Sequence, residues 1–192
     1  MQPLIDNARL FGQRPEEFAE LAEGQSPQVL FITCSDSRVV PALITGARPG
    51  ELFELRTAGN IVPPYASAHP TGEACTIEYA VEVLGVRDIV VCGHSHCGAV
   101  GALVRGDDLT AVPAVRDWLT RATPRPSGTV EDPAVTEGVQ SHILTQLLRL
   151  RSYPYIEKRL GERRLSLHAW FYEVHTGAVL AHDARTDTFE AL

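Results

Sequence analysis

Apolar and polar residues follow one another along the chain in runs that predict strands and helices in turn. Short runs typical of β-strands cover residues 29–33, 51–57 and 88–92. The first and third runs are almost entirely apolar, as in strands of a parallel sheet that is covered by helices. Residues 165–174 and 178–182 predict two further strands joined by a tight turn, which indicates an antiparallel hairpin.

Helical spacing of apolar residues fills much of the chain between these strands. The predicted helices cover residues 3–23, 41–45, 73–85, 97–105, 111–122 and 134–151. A loop with the sequence TPRPSG separates the last two helices. We therefore predict one domain over residues 1–192, with residues 1–24 as an N-terminal helical arm. Its class is α/β: a mixed, mainly parallel β-sheet flanked by helices, with a C-terminal antiparallel hairpin.

Composition and charge limit the kinds of partner that the protein is expected to bind. The chain has 192 residues and a net charge of −7, which argues against a nucleic-acid partner. No apolar run reaches the ~18–20 residues that a membrane span needs. The first residues lack the basic head and apolar block of a signal peptide, so we expect a cytoplasmic protein without a membrane partner. Cysteines at positions 34, 75, 92 and 97 then favour metal or thiol chemistry over disulfides.

The segment TCSDSRV follows the first predicted strand and places Cys34, Asp36 and Arg38 close together. Cys34 has three possible roles at this stage: a nucleophile, a metal ligand or a small buried apolar residue. A cysteine phosphatase loop needs an arginine six positions after the cysteine, whereas Arg38 is only four positions after Cys34. The nucleophile is therefore the weakest of the three interpretations.

The segment CGHSHCG follows the third predicted strand and contains His94 and Cys97. If Cys97 opens a helix, the three-residue spacing directs both side chains the same way. Thiolate and imidazole are preferred zinc ligands, and ligands in open α/β sheets bind beyond the carboxyl ends of strands. Cys34, His94 and Cys97 can therefore meet as three zinc ligands, and a free fourth position is typical of catalytic zinc. The same segment does not fit a G-x-S-x-G elbow, because Cys97 takes the place of the last glycine.

Together the two motifs resemble those of the β-class carbonic anhydrases. The motifs are CSDSR and GHxxCG, with 94 − 34 = 60 positions between the cysteine and the histidine. The resemblance extends to further segments: GQSP, PGELFELR, AGNIVPP, IEYAVEVLGV and FYEVHTGAV. It implies an enzyme that catalyses the reversible hydration of carbon dioxide to bicarbonate and a proton by zinc-bound hydroxide. It also implies a homodimer or a multiple of dimers, in which the N-terminal arm embraces a partner subunit.

Residue roles follow from the same resemblance. It implies that Cys34, His94 and Cys97 bind Zn²⁺, that Asp36 and Arg38 form a catalytic dyad, and that Asp36 binds the metal only in a closed state. The positions that match substrate-pocket residues of the family are Gln25, Phe53, Ala58, Tyr79 and Gly98.

The chemistry of the dyad can be argued from the residues themselves. Carbon dioxide needs hydroxide near neutral pH, and zinc supplies it by lowering the pKa of bound water. Two thiolates weaken that effect, so an acceptor that orients the hydroxide matters, and Asp36 suits this role. Arg38 can clamp the carboxylate bidentately and hold it away from the metal.

Two alternatives remain open from the sequence. One is a non-enzymatic zinc protein in which Asp36 is a permanent fourth ligand. The other is a relative that hydrolyses a different small heterocumulene, such as carbon disulfide. Among the remaining candidates, we expect Cys75 and Cys92 to be core thiols, because free cysteine is usually buried. We expect His96 to face solvent rather than to shuttle protons.

Overall fold

A single sheet of six strands organises the computed structural model, which describes residues 1–13, 16, 18–66, 68–120, 132 and 134–192. The strands are β1 (Val29–Cys34), β2 (Leu52–Thr57), β3 (Asp88–His94), β4 (Ser166–Tyr172), β5 (Val179–Asp183) and β6 (Thr188–Ala191). Their order is β2-β1-β3-β4-β5-β6. The first four strands pair in parallel, and β5 and β6 extend the sheet in antiparallel fashion. The predicted mixed sheet and its C-terminal hairpin are thus confirmed.

Seven α-helices accompany the sheet in the described part of the chain. They are α1 (Gln2–Phe11), α2 (Pro41–Thr45), α3 (Gly72–Glu78), α4 (Gly98–Arg105), α5 (Pro113–Leu119), α6 (Thr136–Arg151) and α7 (Pro154–Gly161). Helix α3 continues as a π-helix over Tyr79–Leu84. None of the helices in the described ranges is long and apolar enough to cross a membrane.

The prediction of one helix over residues 3–23 is wrong. Helix α1 ends at Phe11, and a separate 3₁₀ helix covers Ala19–Glu23. Residues 14, 15 and 17 lie outside the described residues, as do residues 121 and 122 of another predicted helix and the TPRPSG segment. Helix α7 and strand β6 were not predicted at all.

The main core lies between one face of the sheet and the helices. Strand β1 contributes Leu30 and Ile32 to this core, and both are fully buried. Helix α6 packs directly against the backbone of β3 at Gly93. A Cβ atom at that position would lie 2.6 Å from Val139 Cγ1 and 2.8 Å from Ile143 Cδ1, so only glycine fits without rearrangement. This close approach brings α6 beside the carboxyl end of β3.

The opposite face of the sheet carries a smaller apolar cluster that includes Phe31, Val90 and Trp170. The rings of Phe31 and Trp170 meet edge to face, with their centroids 5.9 Å apart. A cavity of about 580 Å³ lies against this cluster, and Leu52 also lines it. Helix α1 has no buried residue. A cavity thus lies over this face of the sheet, and helix α1 leaves its apolar residues exposed.

The strand order also determines where a ligand is expected. From β1 the chain proceeds to β2 on one side of the sheet and later returns to β3 on the other side. The carboxyl ends of β1 and β3 therefore form a topological switch point, where open α/β sheets bind ligands.

Candidate active site

Three potential metal ligands converge at this switch point. Cys34 ends β1, His94 ends β3, and Cys97 is the N-cap of α4. Their ligand atoms all lie within 4.8 Å of one another. The exposed fractions of the three residues are 5%, 0% and 2%. The sequence prediction that these residues meet is confirmed.

The route by which His94 and Cys97 meet differs from the one predicted. His94 belongs to a strand and not to a helix, so helical spacing does not bring the two side chains together. A tight turn through Ser95 and His96 does so instead. His96 adopts a left-handed backbone with φ of 57°, and the Ser95 N–H donates to the Tyr172 carbonyl at 2.9 Å. The turn is therefore anchored to β4.

The tautomer of His94 leaves one ring nitrogen available. Its Nδ1 lies 2.9 Å from the Ser95 carbonyl oxygen, and a carbonyl can only accept, so Nδ1 carries the proton. The buried Nε2 has no hydrogen-bond partner among the described residues. A buried nitrogen with a free lone pair, held by a hydrogen bond at the other nitrogen, is the arrangement of a metal-binding histidine.

The two cysteine thiols of the cluster lie in contact and shift one another's pKa in opposite directions. The adjacent Cys97 thiol has the largest effect in lowering the pKa of Cys34, and His94 and the backbone N–H groups of Gly59 and Asp36 lower it further. The pKa of Cys97 is raised in turn by its contact with Cys34 and by burial. A bound cation would favour the thiolate form of both sulfurs, because a cysteine must lose its proton to bind a metal. This donor set of two sulfurs and one imidazole nitrogen fits zinc.

Asp36 and Arg38 form an ion pair at the rim of the metal-binding cluster. Arg38 Nη2 donates to Asp36 Oδ2 at 2.7 Å, and Arg38 Nε donates to Oδ1 at 2.9 Å. The Arg38 backbone N–H also donates to Oδ1, at 2.9 Å. These bonds hold the pKa of Asp36 below its usual range. The Asp36 Oδ2 atom lies 3.8 Å from His94 Nε2, so the carboxylate is beside the cluster but directed to Arg38.

Arg56 supports this rim from the neighbouring strand, and its role was not predicted. Its guanidinium donates to the Cys34 carbonyl at 3.2 Å and to the Asp36 carbonyl at 2.8 Å. Arg56 therefore fixes the backbone that carries both the metal ligand Cys34 and the carboxylate of Asp36. One sequence feature could have predicted this role: Arg56 lies near the carboxyl end of a predicted strand, at the same edge of the sheet as the ends of the other parallel strands.

The five predicted pocket residues fall into two groups. Ala58 precedes Gly59, whose N–H donates to Cys34 Sγ at 3.4 Å, and Gly98 follows Cys97. These two positions adjoin the cluster. The other three do not adjoin the cluster within this chain: Gln25, Phe53 and Tyr79.

Strand register shows how far apart Phe53 and the cluster lie. Phe53 pairs with Leu30, whereas Cys34 pairs with Thr57, so Phe53 is four residues away along the strand. That separation is about 13 Å. Tyr79 contacts Phe53, with ring centroids 6.0 Å apart. Gln25 is exposed and precedes the amino end of β1.

The predictions for the remaining cysteines and for His96 were only partly correct. Cys92 is fully buried, as expected. The expectation for Cys75 is wrong, because this residue lies on the exposed side of α3. His96 is exposed, as expected, and its carbonyl accepts from Arg38 Nη2 at 3.2 Å.

Comparisons with known proteins agree with this geometry. The profile of the family described as carbonic anhydrase matches residues 29–179. The carbonic anhydrase of Pseudomonas aeruginosa is 44% identical over 203 residues, which cover 100% of this chain and 92% of that protein. The solved structure of the β-carbonic anhydrase CcaA superposes with a TM-score of 0.89 at 40% identity, covering 100% of this chain and 99% of the other.

A second solved structure comes from a study of two tetrameric β-carbonic anhydrases of the filamentous ascomycete Sordaria macrospora. It superposes with a TM-score of 0.78 at 29% identity and covers 94% of each chain. The profile match, the full-length relatives and the convergent Cys34, His94 and Cys97 lead to one conclusion. The chain belongs to the β-class carbonic anhydrases, the zinc enzymes that catalyse the reversible hydration of carbon dioxide.

Proposed function

We propose that Cys34, His94 and Cys97 hold the catalytic zinc of this enzyme, with Asp36 and Arg38 as the catalytic dyad. The observation that carries the proposal is the unpartnered Nε2 of the buried His94 beside two buried cysteines. When bound, zinc supplies a Lewis acid that lowers the pKa of water and so provides hydroxide near neutral pH.

The protein contributes orientation and a hydrogen-bond acceptor to the reaction. The Asp36 carboxylate is an acceptor at the edge of the cluster, and it remains ionised because Arg38 stabilises its negative charge. An ionised acceptor at this place orients the hydroxide toward carbon dioxide. Arg38 is the positioning partner, since its planar guanidinium binds both carboxylate oxygens.

The ion pair also argues against Asp36 as a permanent fourth ligand. A permanent ligand would direct its carboxylate toward Cys34, His94 and Cys97. Instead both oxygens of Asp36 accept hydrogen bonds from Arg38. We assign Asp36 as a metal ligand only to a closed state in which this pair is broken.

Metal removal tests the proposed site directly. The purified protein should contain about one zinc per chain and should hydrate carbon dioxide in a stopped-flow assay. A strong chelator should abolish hydration, and stoichiometric zinc should restore it, because zinc provides the hydroxide. Hydration that continued at the full rate in metal-free protein would contradict the assignment.

A homodimer, or a multiple of dimers, is the second part of the proposal. Helix α1 exposes Leu4 by 68%, Leu10 by 61% and Phe11 by 54%. Leaving such a surface in water is unfavourable, so a partner is expected to cover it. The receiving surface that we propose is the apolar cavity against Phe31 and Trp170 on a second copy. The Sordaria macrospora relatives are described as tetrameric, which supports assembly of this kind.

A further argument for assembly comes from the pocket residues that the resemblance implies. If Gln25, Phe53 and Tyr79 line a substrate pocket, the pocket cannot be that of their own cluster, because Phe53 is about 13 Å from it along the sheet. A second copy that brings its cluster to these residues would complete the pocket. Ala58 and Gly98 would then contribute from the chain that holds the zinc.

Disruption of the arm tests the assembly. Deleting residues 1–22, or introducing Leu4→Glu with Phe11→Glu, should lower the mass seen by light scattering toward the 21.0 kDa of one chain. The physical reason is that charges on the apolar face cannot be buried in an interface. Arg9→Glu is a matched control, because it makes the same change of two charge units at an exposed residue of the same helix. An unchanged mass in the double variant would contradict the proposed role of the arm.

We also propose a cytoplasmic location. All four cysteines are free thiols, which suits a reducing compartment.

A further inference from the structure

A stripe of buried and half-buried polar side chains on α6 and at the N-cap of α7 faces the loop that follows β2. The stripe consists of His142, Gln146, Arg149 and Tyr153, which are spaced by four, three and four residues. Each of these side chains hydrogen-bonds to the backbone of residues 59–63. Burying so many polar groups is costly unless all of them are paired, so this helix face is shaped around that loop.

The first two members of the stripe form a hydrogen-bond relay with a single direction. The Val62 N–H donates to Gln146 Oε1 at 2.9 Å, so the Gln146 amide nitrogen faces His142 Nδ1, at 3.5 Å. His142 Nε2 lies 2.7 Å from the Gly59 carbonyl. Because that carbonyl can only accept, Nε2 carries the proton and Nδ1 accepts.

The relay ends at a proposed zinc ligand. Gly59 receives the hydrogen bond from His142 at its carbonyl, and its own N–H donates to Cys34 Sγ at 3.4 Å. Gly59 has a left-handed backbone with φ of 74°, and a Cβ atom there would lie 3.2 Å from the Ala99 Cβ. Glycine suits this position, because a side chain there would combine an unfavourable left-handed backbone with a tight contact to Ala99.

We infer that His142 is a positioning residue for the zinc site: through Gly59 it directs a backbone N–H at the sulfur of Cys34. The inference rests on the proposed function, since it needs Cys34 to be a zinc ligand. A hydrogen bond to a thiolate withdraws negative charge from the sulfur. It therefore offsets part of the loss of zinc acidity that two thiolate ligands cause.

The protonation of His142 agrees with this role. Burial lowers its pKa to about 4, so the ring is neutral near pH 7 and has one donor and one acceptor nitrogen. Both are used in the relay. His142 does not touch the metal-binding cluster itself, which makes it a positioning residue and not a catalytic one.

Two matched substitutions test the inference. His142→Gln keeps an N–H donor at about the position of Nε2, whereas His142→Asn has the same amide on a side chain that is one methylene shorter. We expect zinc affinity, measured by competition with a chelator, to fall roughly 10–100-fold in His142→Asn, the range typical when the support of a metal ligand by hydrogen bonds is lost. His142→Gln should stay close to wild type.

Cobalt substitution gives a second measurement, which would not change if His142 only stabilised the fold. In the Co²⁺ protein, the thiolate-to-metal charge-transfer band should shift to longer wavelength in His142→Asn, because the sulfur loses a hydrogen bond that stabilises its electrons. Tyr153→Phe is the control variant. It removes another buried hydrogen bond to the same loop, at Pro63, and leaves Gly59 untouched.

The outcomes separate the inference from the function on which it rests. Unchanged affinity and an unshifted band in His142→Asn would overturn the inference, and so would equal changes in Tyr153→Phe. Zinc that remained bound after loss of Cys34 would overturn the proposed site instead. Should His142→Asn fail to fold, Gln146→Met replaces it, because this variant removes the amide that holds the His142 ring at Nδ1 and so loosens its hold on Gly59.

Discussion

Replacing Cys34 with serine is expected to remove most of the zinc and nearly all carbon dioxide hydration. Cys34 is 95% buried among its partners, with only 5% of its surface exposed, and a neutral hydroxyl there is a far poorer zinc ligand than a thiolate. Without the metal, nothing lowers the pKa of water toward neutrality, so hydroxide is scarce near pH 7. We therefore expect hydration to fall by at least roughly 10³-fold. Cys97→Ser should behave in the same way, since Cys97 supplies the second sulfur of the cluster.

Metal analysis and stopped-flow hydration of the purified variants check this expectation. Cys75→Ser and Cys92→Ser are the controls, because neither thiol belongs to the cluster. Cys75 is exposed on α3, and Cys92 is buried among Phe31 and Val90 on the other face of the sheet. Both controls should keep their zinc. Full zinc retention in Cys34→Ser would remove Cys34 from the metal site.

Replacing Arg38 with alanine is expected to retain zinc and still lower hydration. The change removes both side-chain hydrogen bonds to Asp36, whose Oδ2 atom is already only 3.8 Å from His94 Nε2. The released carboxylate is then free to turn to the metal, for which it is a good ligand. The loss should approach that of a missing general acid–base group, about 10²–10⁴-fold.

Two further variants separate the effect of the bidentate hydrogen bonding between Arg38 and Asp36 from the effect of the Arg38 charge. Arg38→Lys keeps the charge but cannot bind both oxygens of Asp36, so its rate should lie between those of wild type and Arg38→Ala. Asp36→Asn should keep zinc and lose the ionised acceptor. Hydration rates normalised to zinc content provide the measurement. A normal rate in Arg38→Ala would refute the role of the clamp.

The sheet and the metal cluster could be predicted because local patterns specify them strongly. The apolar runs that became β1 and β3 are buried on both faces, and short β-branched runs of this kind are typical of strands in a covered parallel sheet. Cys34 and His94 end those strands, so the rule that parallel strands share one carboxyl edge was enough to bring them together. The approach of Cys97 was predicted correctly although its geometric reason was wrong.

Other elements were not predicted because their local sequence patterns are weak. Strand β6 has four residues, mostly exposed, so its alternation of polar and apolar residues is too short to indicate a strand. Helix α7 has eight residues, and a single one of them, Ile156, is buried. Cys75 was assigned to the core from the average burial of cysteine, but the face of a helix depends on its tertiary neighbours.

The polar stripe on α6 illustrates a different limit. His142 and Gln146 bind backbone groups more than 80 positions away in the chain, so no local pattern gives their partners. A signal was nevertheless present, because polar residues recur there at helical spacing within a helix that also carries Val139 and Ile143. For the pocket residues Gln25, Phe53 and Tyr79 the limit is assembly, since their proposed partner is a second chain.

The pairing of β1 with β3 links the metal to the lifetime of the fold. An unfolded chain offers His94 and Cys97 as a weak local pair, whereas Cys34 is 60 positions away (94 − 34) and joins them only when the two strands are aligned. A ligand that favours the folded state adds to the free energy of unfolding, by up to about 4 kcal/mol at 1,000 times its Kd. Zinc is then a reversible cross-link between the two central strands, and the availability of free zinc helps to determine how long each folded chain survives.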